Sequence, residues 1–262
     1  RLVIENDLRE ALAQNQFELH YQPKVDLRTN RISGLEALIR WKQPGRGYIS
    51  PMQFIPVAEE TGLIGKIGEW VIAEVCRQIA EWDAQSVPPL PIAINLSPRQ
   101  LIEGRITETI SRILTDTGTP AARIVLEVTE TVMMQEIKKS AAILEELRHL
   151  GLQIAVDDFG TGYSSLAYLK RLPINSIKID RSFVRDVTID TDDAAITRTI
   201  IVMGHNLGLK VIAEGVETKE QMAFLRESEC DEVQGFLIAT PQPPQEIVKH
   251  ILRLSANAET EL

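Results

Sequence analysis

The chain has 262 residues, 44% of them hydrophobic and 25% charged, and carries a net charge of −9. That acidic balance excludes a non-specific polynucleotide binder, which needs a basic surface, but not a small anionic ligand held through metal ions. No apolar run reaches the roughly 18 residues of a membrane span, and no signal-peptide pattern opens the sequence, so no membrane contact is expected of this chain. Arg1 stands where a start methionine would, so residues 1–262 are expected to be a single domain cut from a longer chain. Cys76 and Cys230 sit apart with no CxxC spacing, which fits buried small residues in a reducing compartment. His20, His149, His205 and His250 form no local ligand motif.

Short apolar stretches alternate with amphipathic ones along the chain. In order they are ELHYQPKV, GLEALIRW, LPIAINLS, RIVLEVTE, QIAVDD, SIKID, KVIAEG and DEVQGF. Between GLEALIRW and LPIAINLS, residues 66–83 place Ile67, Trp70, Val71, Val75, Ile79 and Trp82 at helical spacing, a core-facing stripe. Helices over 135–150 and 193–207 are predicted to stop at Gly151 and Gly208. Ser50-Pro51-Met52-Gln53 and Ser97-Pro98-Arg99-Gln100 each read as a Ser N-cap, Pro in the first helical position and Gln three residues past the cap. About eight strands separated by helices predict an α/β fold, a (β/α)8 TIM-type barrel. The first unit departs from it. Only DLRTNRI joins the first two strands, too short for a crossover helix, so they are expected to form a hairpin that makes one strand antiparallel.

Most of these strands carry a polar residue late in their course: Glu36 and Arg40, Asn95, Glu127, Asp157 and Asp158, Lys178 and Asp180, Glu214, Gln234. Residues i and i+2 share a strand face, so Glu36, Leu38 and Arg40 point together, as do Val125, Glu127 and Thr129, and Lys178 with Asp180. The apolar alternates should meet the helices, and the polar set should converge at the C-terminal mouth of the barrel, where such folds keep their sites. Two carboxylates about 5 Å apart at an effective dielectric of about 20 repel by roughly 3 kcal/mol. Glu36, Glu127, Asp157, Asp158 and Glu214 together therefore call for cations. Two divalent ions, with Lys178 and Arg40, would bring the site close to neutral, and oxygen donors favour Mg2+ or Mn2+ over zinc. The Asp157-Asp158 doublet is expected where the strand breaks into a loop, so that Asp157 can bridge two ions while Asp158 reaches the second; paired ions suit phosphoryl transfer.

Each residue also has a plainer reading. Glu36 could be salt-bridged to Arg40, Asn95 could be a turn residue, and Glu127 and Glu130 surface charges. Asp157, Asp158 or Asp180 could cap helices, Lys178 could snorkel to solvent, and Glu214 could be structural. The GTG of 160–162 lacks the spacing of a nucleotide-binding loop, and Asp158-Phe159-Gly160 lacks its kinase companions.

Taken in order, Glu36-Ala37-Leu38 within GLEALIRW, then INLSPRQL, EVTE, DDFGTGYSSL, IKID, AEGVE and QGF, this sequence resembles the EAL-domain phosphodiesterases of bacterial cyclic di-GMP signalling over nearly its whole length. The resemblance implies hydrolysis of cyclic di-GMP to linear pGpG with two Mg2+ or Mn2+ ions, and inhibition by Ca2+. It implies Glu36, Asn95, Glu127 and Asp157 as ligands of one ion and Asp157 and Asp158 as ligands of the second. Lys178 resembles the residue that orients or deprotonates the attacking water, as a cation or as a neutral amine, and Glu214 the carboxylate that holds an ion or its water. Arg40 resembles a phosphate contact and Gln234 a site residue; Leu38 and Asp180 complete the expected substrate set. Residues 158–166, with Phe159, Gly160, Thr161, Gly162, Tyr163, Ser164 and Ser165, resemble a loop that couples the ion site to dimerisation, anchored by Glu130. A homodimer, a cytoplasmic location and a covalent sensor or GGDEF-type neighbour domain are implied as well. One departure is visible: Ala239-Thr240 stands where relatives often carry Ser-Lys before Pro, which touches a substrate contact and not the ion ligands. A nucleotide receptor without hydrolysis, and a barrel enzyme for another phosphorylated substrate, are the rival readings.

Overall fold

In the computed structural model, residues 2–102, 105–135, 137–162 and 166–260 are described. Among the described residues nine strands are formed: β1 (Phe17–Asp26), β2 (Ile32–Gln43), β3 (Gly47–Ile49), β4 (Ile92–Asn95), β5 (Ile124–Thr129), β6 (Gln153–Phe159), β7 (Ser176–Ile179), β8 (Lys210–Ala213) and β9 (Glu232–Val233). Neighbours run β1-β9-β8-β7-β6-β5-β4-β2, and β1 pairs β2, so eight strands close into a barrel. β1 is antiparallel to both β2 and β9, while the remaining barrel pairings are parallel. The short connection after β1 thus does what its length dictates. All eight apolar stretches become barrel strands. β3 was not expected: it folds back on the end of β2, pairing Trp41 with Ile49 outside the closed barrel.

Helices cover the outer face. Helix Ile64–Ala84 buries Ile67, Val71, Val75, Ile79 and Trp82 of the stripe that its spacing foretold, while Trp70 packs against the core only partly buried. Thr191–Asn206 begins at Asp190, whose side chain caps the amides of Asp192 and Asp193, and the chain turns at Gly208 with φ +72°. The two Ser-Pro helix starts differ. Ser97 and Gln100 form the expected reciprocal cap, with Gln100 N–H donating to Ser97 Oγ at 3.3 Å and Ser97 N–H to Gln100 Oε1 at 3.1 Å. Ser50 precedes helix Pro51–Thr61, but its hydroxyl makes no cap bond; the backbone carbonyl of Ser50 takes the Gln53 amide instead, at 2.9 Å.

Gly235 is set by packing. A Cβ there would lie 2.1 Å from Val216 O and 2.3 Å from Val216 N, so backbone would have to move. Gly235→Ala should destabilise the domain by more than about 3 kcal/mol, the upper end for overpacking against rigid atoms. Urea unfolding reads this directly, and an unchanged midpoint would contradict it.

Candidate active site

Strand register brings the polar residues to one end of the barrel. Asn95 lies beside Glu127 across β4–β5, and Thr129 beside Asp157 across β5–β6. Glu214 and Gln234 follow directly on β8 and β9. The centre is Lys178, which is 0% exposed, so it does not snorkel. Its Nζ lies 2.6 Å from Glu127 Oε2, 2.6 Å from Glu214 Oε1, 3.3 Å from Asp157 Oδ1 and 3.5 Å from Glu36 Oε2. Glu36 is gripped from both sides: Asn95 Nδ2 donates to Oε1 and Gln234 Nε2 to Oε2, each at 2.6 Å.

The aspartate doublet has a different cause from the one expected. β6 does not break there but continues through Phe159. Val156 is opposite Ile177 and Phe159 opposite Ile179, so two residues, Asp157 and Asp158, face Lys178 alone. This is a β-bulge, and its second residue, Asp158, adopts the left-handed conformation, φ +53°. The extra residue lifts strict alternation, so both carboxyls can turn toward the mouth. Asp157, Asp158 and Glu214 each offer an oxygen, all within 4.8 Å of one another.

Two residues of the constellation escaped the sequence reading. Lys24 is buried, and its Nζ lies 2.6 Å from Glu127 Oε1. Gln22 accepts from Gln234 Nε2 at 3.0 Å and donates to the Ala239 carbonyl at 3.1 Å. Both sit in YQPK on β1, two apart and therefore on one face. That i, i+2 polar pair inside an apolar run was the available signal. Ala239, at the departure from the usual Ser-Lys, is 7% exposed, and its carbonyl orients Gln22.

The site holds more negative charge than its lysines offset. Burial pushes the Glu214 carboxyl up and Lys178 opposes it, but Asp157, Glu36 and Glu127 add to the rise, leaving it at about 8. Burial, then Asp157 and Asp180, raise Asp158 to about 6. Burial also lifts Glu127 above the usual carboxylate range despite Lys178 and Lys24. Glu36 goes the other way: burial is outweighed by Lys178, Lys24 and the Gln234 and Asn95 amides, which hold it at about 2. For Lys178, burial disfavours the ammonium, but four carboxylates outweigh it and push its pKa well above the usual lysine value, so it is a cation here. A set of oxygen donors with surplus negative charge fits hard divalent ions such as Mg2+ or Mn2+. Glu36, Asn95, Glu127, Asp157, Asp158 and Glu214 are the residues that could hold them.

These shifts predict how the metal-free domain responds to pH. Glu214 and Asp158 bind protons more tightly folded than unfolded, so their contribution is present at low pH and is lost as pH rises toward 8 and 6 respectively. Glu36 acts oppositely, but only below about pH 4.5. Between pH 5 and 8 the chelated domain should therefore lose stability as pH rises, by up to about 1.4 kcal/mol per pH unit for each titrating group. Urea melts in EDTA test this. A flat or rising profile would contradict it.

The remaining expected residues line the surroundings. Leu38, Arg40, Asn95, Glu127 and Thr129 border a cleft of about 320 Å3. A second cleft of about 250 Å3 is bordered by Glu36, Asp157, Arg181, Glu214, Gln234 and Phe236, and the two meet at Leu38. Arg40 donates to the Ile39 carbonyl at 2.9 Å and faces Glu36, so it is near that carboxylate without an ion pair to it. Asp180 is the N-cap of helix Arg181–Arg185, accepting from Ser182 N–H at 2.9 Å, and lies beside Asp158; it is not among the partners of Lys178.

Glu130, 1% exposed, accepts from Gly160 N–H at 2.8 Å and Gly162 N–H at 3.4 Å, which pins the segment that follows the bulge. Phe159 is buried, and Thr161 Oγ1 donates to the Asp158 carbonyl at 2.8 Å. Gly160 has φ +101°, and a Cβ there would meet Phe183 at 2.8 Å and Ile200 at 3.2 Å. Tyr163, Ser164 and Ser165 lie outside the described residues. Glu130→Ala would leave two amides without their acceptor, costing about 1–3 kcal/mol locally. Hydrogen exchange at Gly160 and Gly162 should quicken at least tenfold; unchanged protection would show that Glu130 does not hold the segment.

Fold and site together define a TIM-type barrel with a carboxylate-rich, lysine-centred site at the C-terminal mouth. Residues 5–241 match the EAL domain family. The chain is 44% identical over 251 residues to the bifunctional diguanylate cyclase/cyclic di-GMP phosphodiesterase MucR of Pseudomonas aeruginosa, covering 96% of this chain and 37% of MucR. It is 41% identical over 242 residues to the cyclic di-GMP phosphodiesterase PdeR of Escherichia coli, covering 92% of this chain and 36% of PdeR. Among solved structures, the PaMucR phosphodiesterase in complex with c-di-GMP is 45% identical with a TM-score of 0.90, over 93% of this chain and 99% of that one. The FimX EAL domain from Pseudomonas aeruginosa bound to c-di-GMP is 26% identical with a TM-score of 0.85, over 91% of this chain and 96% of that one. This chain belongs to the EAL domain family, and it spans about a third of the length of the curated relatives it matches. Among the described residues no helix is long and apolar enough to cross a membrane.

Proposed function

We propose that this domain hydrolyses cyclic di-GMP to linear 5′-pGpG with two Mg2+ or Mn2+ ions. The observation that carries the reading is the convergence of Glu36, Glu127, Asp157 and Glu214 on Lys178, with Asp158 beside them. In this assignment Glu36, Asn95, Glu127 and Asp157 hold one ion, and Asp157 and Asp158 the second, with Glu214 holding an ion or its water. Arg40 would stand at a phosphate, with Leu38 and Gln234, which border the clefts, and Asp180 as further contacts. Bound divalent ions would polarise the phosphoryl group and lower the pKa of a water.

The chain's own residues do the rest. Asn95 and Gln234 orient Glu36 so that both of its oxygens have fixed directions. As an ammonium, Lys178 would stabilise negative charge growing on the phosphoryl oxygens as water attacks phosphorus and one P–O3′ bond breaks. Glu214, raised to about 8 in the ion-free site, would release its proton on ion binding and hold the ion or its water as a carboxylate. Glu130 steadies the segment after the bulge, whose Gly160 lies against Phe183 and Ile200, and it is through this segment that we expect a homodimer to influence the site. We expect a cytoplasmic location and a neighbouring sensor or GGDEF-type unit; the relatives' greater length and the bifunctional name of MucR support the neighbour.

Incubation with cyclic di-GMP and Mg2+, Mn2+ or Ca2+, followed by chromatography for pGpG, tests the reading. Product with Mg2+ or Mn2+ and little with Ca2+ is expected. Tight binding without product would favour the receptor reading, and neither binding nor product would favour another phosphorylated substrate.

A further inference from the structure

We infer that Lys24 is a positioning residue that fixes the carboxylate of Glu127 and thereby biases the site toward small divalent ions; the inference rests on the two-ion reading above. β1 is the antiparallel strand of the barrel, and it delivers Lys24 from the end opposite the active-site mouth. The side chain is 5% exposed and borders a cavity of about 140 Å3 at that far end, together with Ser33, Ala93, Val125, Ser176 and Glu232. Its Nζ reaches up to Glu127 Oε1 at 2.6 Å, while Glu127 Oε2 faces Lys178, also at 2.6 Å. The Glu127 side chain is 0% exposed. A buried ammonium is costly unless it is paired, so Lys24 and Glu127 hold each other in place.

The consequence concerns ligand count. Both oxygens accept from a lysine at 2.6 Å, but Lys24 holds Oε1 from the far end of the barrel, whereas Oε2 lies on the side of Lys178, Glu36 and Asp157, so Oε2 is the oxygen placed for an ion. Ca2+ takes about six to eight oxygens and often both oxygens of one carboxylate, whereas Mg2+ takes six in a tight octahedron, one from each carboxylate. A carboxylate limited to one oxygen therefore suits Mg2+ or Mn2+ and disfavours Ca2+. Lys24 also contributes a positive charge, which weakens every divalent ion alike. The discriminating quantity is thus the ratio of affinities and not either affinity alone.

Calorimetric titration of the nucleotide-free domain with MgCl2 and CaCl2 reads that ratio in the unmodified chain, in Lys24→Met and in Lys24→Gln, each checked for native circular dichroism. The expected result is a shift of about tenfold toward Ca2+ in the variants, the scale for loss of a residue that orients a ligand. An unchanged ratio in a folded variant overturns the inference. A crystal structure of the unmodified chain soaked in MnCl2 gives an answer that needs no variant. Lys24 Nζ should stay within hydrogen-bond distance of Glu127 Oε1. A Lys24 turned into the lower cavity, or a Glu127 bound to the ion through both oxygens, overturns it. Failure of the unmodified chain to bind either ion would remove the two-ion reading itself, and this inference with it.

Discussion

Lys178→Met should lower the turnover of cyclic di-GMP about 1,000-fold, close to 4 kcal/mol of transition-state stabilisation. The argument is one of placement. Lys178 is fully buried with its Nζ within 3.5 Å of four carboxylates, so its position is fixed before any substrate arrives. A cation held that way loses little to reorganisation when charge develops on a phosphoryl oxygen. Methionine keeps most of the volume and removes the charge. The same change takes a buried cation from Glu127 and Glu214, so the metal-free variant should also melt lower. Divalent ions should restore its stability but not its turnover. If turnover and stability recover together, Lys178 serves folding and not the reaction.

Glu36→Ala should abolish most hydrolysis, at least about 100-fold, and weaken ion binding. Glu36 lies 3.5 Å from Lys178 and is held by Asn95 and Gln234, so in the variant the Asn95 amide loses this acceptor and Gln234 is left with Gln22. Because its carboxyl stands at about 2, it is ionised across the working pH range and always available as a ligand. Excess Mn2+ should recover part of the lost rate if the defect is in ion binding. Near wild-type turnover would mean that the ligand assignment is wrong.

The barrel was legible because its strands are separated by amphipathic helices, and the hairpin because seven residues cannot hold a crossover helix. The acidic site was legible because carboxylates and Lys178 interrupt otherwise apolar strands. What escaped depends on partners remote in sequence. β3 is three residues long, too short for alternation to show. The bulge at Asp157-Asp158 is a mismatch of register between β6 and β7, which neither strand reveals by itself. Lys24 reads as an ordinary lysine near a strand end until β1 is known to run against its neighbours and bring it beneath Glu127. Ser50 carries the same local pattern as Ser97, yet only Ser97 makes the side-chain cap.

The central claim is that these side chains hold a pair of divalent ions at one point. Titration of the metal-free domain with MnCl2, followed by electron paramagnetic resonance, tests it directly. Two ions about 3.5–4 Å apart are exchange-coupled, so the second equivalent should convert the six-line spectrum of isolated Mn2+ into a coupled multiline signal. A six-line signal that only grows, or ions that remain free in solution, would contradict the account.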